Sequence, residues 1–186
     1  MSTTATDLHT LTGAYHLDPT HSRIGFSARH AMVTKVRGAF NDIDGTLQLD
    51  GTDPSRSSAN VTIQVASIDT RNADRDAHLR GSDFFSVEEF PTITFGSTSA
   101  RQAGQSAYEL TGDLTIRGVT RSVTVPFELT GSAVDPWGNT RVGFEGSVSV
   151  NRKDWGLTWN AALEAGGILV SEKVTLELEL SAVKTA

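Results

Sequence analysis

Apolar side chains fall on every second position along most of this chain. In RIGFSARH, Ile24, Phe26 and Ala28 share one face while Arg23, Ser27 and Arg29 take the other, the pattern of a strand wet on one side. The alternation returns in Ala59, Val61, Ile63 and Val65, in Ile93 and Phe95, and in Tyr108, Leu110, Leu114 and Ile116. It continues through Val123, Val125, Phe127 and Leu129, then Val142, Phe144, Val148 and Val150, then Val174, Leu176, Leu178 and Leu180. One stretch changes phase: Val36, Gly38 and Phe40 are even, whereas Ile43, Leu47 and Leu49 are odd. An extra residue near Asn41-Asp42, in a β-bulge that bends the strand, accounts for the change.

The period is lost in NADRDAHLRGSDFFSVEEFP, which predicts one or two short helices with Asn72 or Asp83 as N-caps and Leu79, Phe84 and Phe85 as the apolar side. About eight strands joined by short polar turns predict an all-β, antiparallel up-and-down sheet curled into a barrel or a sandwich. Arg117-Gly118 suits a tight reversal, since glycine accepts positive φ readily. Pro126 lacks a ladder donor, so its strand is an edge at that point or carries a bulge. Residues 1–12 are unpatterned and read as a flexible segment, leaving 13–186 as a single domain.

An eight-stranded barrel either fills its interior with side chains or holds one small ligand. The inward positions include Phe26, Phe40, Phe95, Phe127 and Phe144, but also Gly38, Ala59, Gly112 and Gly146. Glycine removes volume where a packed core wants it, which favours a cavity; a tight barrel corner also wants glycine. Between the last two strands, Trp155, Leu157, Trp159, Leu163 and Ile168 make a connection too apolar for an ordinary loop. It predicts either a lid over an open mouth or a plug in one barrel end.

Charge and composition remove other classes. The chain carries 16 basic and 22 acidic side chains, giving no basic field for nucleic acid. It has no cysteine, hence no thiolate chemistry. No charged start followed by an apolar run opens the sequence, so a cytoplasmic location is expected. His21-Ser22 are neighbours on an extended segment and point to opposite faces, which does not suit a triad. His16, His21, His30 and His78 lack metal-site spacing, so neither metal nor cofactor is expected. Asp74, Asp76, Glu88 and Glu89 read as a solvated helix face.

Six pieces in order resemble the YceI-like family of bacterial polyisoprenoid-binding proteins: YHLDPTHSRIGFSARH, GAFNDIDGTL, SIDTRNADRDAHLRGSDFF, FPTITF, LTIRGVT and NRKDWGL. The resemblance implies a lipocalin-like, eight-stranded barrel around an apolar channel for an isoprenoid lipid or quinone tail, and a homodimer. On that basis the channel is expected to be lined by Phe26, Ala28, Phe40, Ile63, Phe95, Leu110, Leu114, Ile116, Val125, Phe127, Phe144, Val148, Leu157, Trp159, Leu163, Ile168, Val174 and Leu176. Asn151, Arg152 and Asp154 are expected to close one barrel end by pairing with Asp69 or Arg75, in preference to contacting a ligand head group. The expected function is non-enzymatic binding, storage or transport of that lipid, with transient membrane contact. The alternative is an enzyme or chaperone acting on such a lipid through His21 or His30.

Overall fold

The computed structural model describes residues 8–161, 163 and 169–186. Strands β1 (Gly13–Leu17) and β2 (Arg23–His30) form one bent wall, interrupted by a 3-10 turn at Pro19–His21. Strands β3 (Thr34–Phe40) and β4 (Ile43–Leu49) form the next wall, against β2 and β1 respectively. The sheet continues through β5 (Ser58–Gln64), past the two-residue β6 (Ile68–Asp69), to β7 (Thr92–Gln102), β8 (Ala107–Ile116), β9 (Val119–Val134), β10 (Thr140–Asn151) and β11 (Lys173–Lys184). All pairings are antiparallel, and β11 closes the ring by pairing with both β1 and β2. Counting each bent wall once and setting β6 aside, the barrel has eight strands.

The inward phase does change after Phe40, but through a break and not a bulge. Phe40 pairs with Ile24 and Ile68, whereas Ile43 pairs with Ile63. Between them Asn41 N–H donates to the Ser67 carbonyl, and the Asp42 carbonyl accepts from Gln64 N–H. The chain turns a barrel corner there, so the backbone finds partners outside the ladder. Bulge-like register shifts occur instead at Ser97/Ser99 and Gly143/Phe144.

Two turn expectations hold. Arg117 (φ 50) and Gly118 (φ 73) form the two-residue reversal between Ile116 and Val119. Pro126 lies where the pairing of β9 with β10 ends, at Phe127↔Gly146, so its nitrogen faces no ladder acceptor on that side.

One α-helix, α1 (Ala73–Arg80), forms, with the Asn72 side chain accepting from Arg75 N–H. Asp83 caps no helix and pairs with His78 at 2.9 Å. Asp76 is buried, not solvated: its Oδ1 accepts from the Thr70 N–H and hydroxyl, fastening α1 to the chain after β6. At the opposite end, Leu8–Leu11 forms a 3-10 turn with Leu11 buried and its carbonyl accepting from the Tyr15 hydroxyl.

Candidate functional site: an apolar barrel interior

The inward faces of the walls surround a cavity of about 330 Å3 that reaches from Leu8, Leu11 and Pro54 at one end to Arg152, Leu157 and Val170 at the other. Its middle is aliphatic and aromatic. The wall side chains show the hollowness themselves: Ile24, Phe26, Phe95, Phe127, Phe144, Leu176, Leu178 and Leu180 line the cavity yet stay partly accessible. In a close-packed interior such residues have neighbours on every side.

Glycine and phenylalanine work together to keep the interior open. A Cβ at Gly38 would stand 2.5 Å from Phe26 Cζ, one at Gly112 2.4 Å from Phe95 Cζ, and one at Gly146 2.7 Å from Phe127 Cδ1. The rings lie back over the backbone of adjacent strands instead of crossing the barrel. The inward glycines are therefore seats for aromatic rings in the wall.

Of the expected lining residues, Phe26, Ala28, Phe40, Ile63, Phe95, Leu110, Leu114, Ile116, Val125, Phe127, Phe144, Leu157, Val174 and Leu176 line the cavity. Val148, Trp159 and Leu163 do not. Val148 packs against the core cluster that contains Trp155. Trp159 stands edge-on to His78 at 4.7 Å between ring centroids and leans on Phe84 at 5.3 Å, so it ties its loop to the far end of α1. Ile168 lies outside the described residues. Ile24, Leu178 and Leu180 also line the cavity and carry the same alternation as their neighbours, so that signal was present. Trp155 and Arg152 line it too, from a 3-10 turn where no periodicity marks a direction.

The turn Arg152–Trp155 closes the α1 end. Asn151 caps it by accepting from Lys153 N–H, and Gly156 ends it at φ 79. The buried Trp155 indole N–H donates to the Leu114 carbonyl at 2.9 Å. Arg152 does not pair with Asp69, nor Asp154 with Arg75. The Arg152 guanidinium donates to the carbonyls of Leu157, Val170 and Ser171, which binds both ends of the connecting loop to the barrel. Asp69 instead accepts from Asn41 and Arg71, and Arg75 donates to Thr70. Burial pushes the Arg152 pKa down, partly offset by the charge of Glu172. The closing role expected of Arg152 stands, with different partners.

The histidines considered for chemistry lie apart from the cavity lining. His16 pairs with Asp44 at 2.8 Å, His21 with Asp18 at 2.8 Å and His78 with Asp83, while His30 is exposed. Among the described residues, the titratable side chains lining the cavity are Asp50, Tyr108, Glu109 and Arg152. Burial pushes the Tyr108 phenol up, away from ionisation.

A closed eight-stranded barrel with a hollow apolar interior defines a lipocalin-like protein. Residues 15–182 match the YceI-like domain, and the chain belongs to that family. It is 44% identical over 137 residues, 74% of this chain and 71% of the relative, to a UPF0312 protein of Pseudomonas aeruginosa. Among solved structures it resembles BcnA of Burkholderia cenocepacia, with a TM-score of 0.79 and 25% identity over 89% of this chain and 98% of that one. A polyisoprenoid binding domain from Saccharophagus degradans shares the fold, with a TM-score of 0.69 and 13% identity over 92% of this chain and 98% of that one.

Proposed function

We propose that this protein is a non-enzymatic carrier of a long apolar isoprenoid lipid, a polyprenyl chain or an isoprenoid quinone, held in the barrel interior. The observation that carries the proposal is the cavity itself, continuous between the two ends of the barrel and apolar through its middle. Burying apolar chain contributes about 0.8 kcal/mol per methylene, so several isoprene units are held without a hydrogen bond. The Saccharophagus degradans neighbour is described as polyisoprenoid binding, which supports this cargo class for a shared fold. A catalytic role finds little to work with, since the histidines lie outside the lining and Arg152 is committed to three carbonyls.

Titration of delipidated protein with an isoprenoid quinone tests the proposal. Saturable binding of one chain per barrel, followed by quenching of tryptophan fluorescence, is expected because Trp155 lines the cavity. Folded protein that fails to bind, or that converts the lipid chemically, overturns it.

A further inference from the structure

The hairpin made by β2 and β3 stands out electrostatically. Residues 19–41 contain Arg23, Arg29, Lys35 and Arg37 and no acidic residue, in a chain of net charge −6. Arg29 lies directly across from Lys35, and Arg37 lies two pairs of residues further back opposite Ser27, on the same face. Like charges directly opposite destabilise a sheet. None of the three makes an ion pair among the described residues, and the nearby Glu172 is taken by Lys153 at 2.6 Å.

The tip of the same hairpin is apolar and exposed. Met32 is 66% and Val33 77% accessible. The turn also runs against local preference. Within the three-residue connection between His30 and Thr34, Ala31 (φ 52) and Met32 (φ 60) both occupy the left-handed region, which ordinarily takes Gly or Asn. Alanine and methionine weaken the turn and give its tip a side chain that water does not favour.

We infer that the β2–β3 hairpin docks the protein on an anionic lipid bilayer, with Met32 and Val33 entering the interface and Arg29, Lys35 and Arg37 held at the phosphates. The order along the hairpin fits that depth profile. At about 3.3 Å per residue the cations lie roughly 7 to 13 Å behind Met32 and Val33, the scale of the boundary between acyl chains and head groups. A protein partner fits less well, since two tip side chains fall far short of the roughly 800 Å2 per side of a stable interface.

The position is useful for a lipid carrier. Ala28, on β2 behind the tip, lines the cavity, and so does Val170, whose backbone bridges to His30. Docking therefore brings the Arg152 end of the cavity to the membrane surface. The inference deepens the carrier reading and rests on it for its purpose, but the surface can be tested without reference to cargo.

Full-length protein is sedimented with vesicles of phosphatidylcholine alone and of phosphatidylcholine mixed with phosphatidylglycerol, at low and raised salt. Binding to the anionic vesicles, weakened by salt, is expected. Lys35→Gln with Arg37→Gln should weaken it about twenty-five-fold, at roughly fivefold for each basic residue near an anionic surface. Met32→Ser with Val33→Ser should also weaken it. The chain has no cysteine, so a polarity-sensitive dye on Val33→Cys reports tip insertion alone by a blue shift. Equal binding to neutral vesicles, unchanged binding by both double variants, or no dye shift overturns the inference. Lipid extracted from the same preparations reports on the carrier reading separately, because hairpin variants should keep their cargo.

Discussion

The ring of Phe26 lies directly over the backbone of Gly38 on the neighbouring strand, so close that a methyl group at 38 would meet it at 2.5 Å. The same methyl group would also meet Thr70 Cγ2 at 2.8 Å, so it has no room beside the ring. Gly38→Ala should swing the Phe26 ring inward and cost about 1–3 kcal/mol, as overpacking does. Thermal unfolding of delipidated protein should show that loss, and isoprenoid affinity should fall with it. Gly38→Ala combined with Phe26→Leu should recover much of both. An unchanged affinity in the single variant would detach the aromatic seats from the cavity's volume.

Leu176 faces the cavity and pairs across the wall with both Phe26 and Val148. Leu176→Trp adds volume to space that lipid otherwise occupies. The delipidated protein should keep its melting temperature within the spread of ordinary surface changes, about 0.5 kcal/mol, while lipid binding falls sharply. The comparison needs delipidated samples because bound ligand raises apparent stability. Strong destabilisation with binding retained would mean that these side chains meet other protein.

The alternation of apolar residues made the barrel legible, because a period of two assigns each side chain a face without knowledge of its partner strand. It marks thirteen of the fourteen expected residues that line the cavity, Leu176 among them, the exception being Leu157 in the connecting loop. It did not carry into irregular backbone. Apolar character alone marks Trp159 as part of a lid or a plug, and its direction depends on the placement of His78 and Phe84 far away in sequence. A guanidinium ordinarily finds an acid, which points Arg152 to Asp69, yet three loop carbonyls hold it. Asp76 was hidden for the same reason, since its partner Thr70 belongs to the turn before the helix.

Arg152 should be costly to lose. Truncation leaves three carbonyls without their charged donor, and hydrogen bonds to charged groups contribute about 1.5–3 kcal/mol each, with much overlap among them. Arg152→Ala should lower unfolding free energy by about 3 kcal/mol or more, and Arg152→Lys should recover a fraction because an ammonium cannot span the planar arrangement. Chemical denaturation measures both; a loss below about 1 kcal/mol for the alanine variant would remove Arg152 from its closing role.

A pH dependence follows from Arg141, whose Nη1 lies 2.7 Å from Asp18 and whose Nε lies 2.8 Å from Asp135. The Arg141 hydrogen bond holds the Asp18 carboxyl well below its usual value despite desolvation, with Thr20 and His21 adding to it. Desolvation alone would raise Asp135, but bonds from Asn139, Arg141 and Trp137 bring it down to about 2. Carboxyls with folded pKa below unfolded stabilise fully above the unfolded value near 3.8 and lose that contribution as pH falls toward the folded values. The melting temperature should therefore drop from pH 4 downward. Arg141→Gln should be less stable at neutral pH and show a shallower acid loss; parallel curves for the two proteins would rule out the linkage.

The central claim is that the barrel interior holds an isoprenoid lipid, and mass spectrometry of an organic extract from purified, folded protein tests it most directly. The account predicts a polyprenyl or isoprenoid-quinone species in the extract of the wild-type protein and its depletion in that of Leu176→Trp. Short polar metabolites alone, or no lipid from protein shown to be folded, would contradict it.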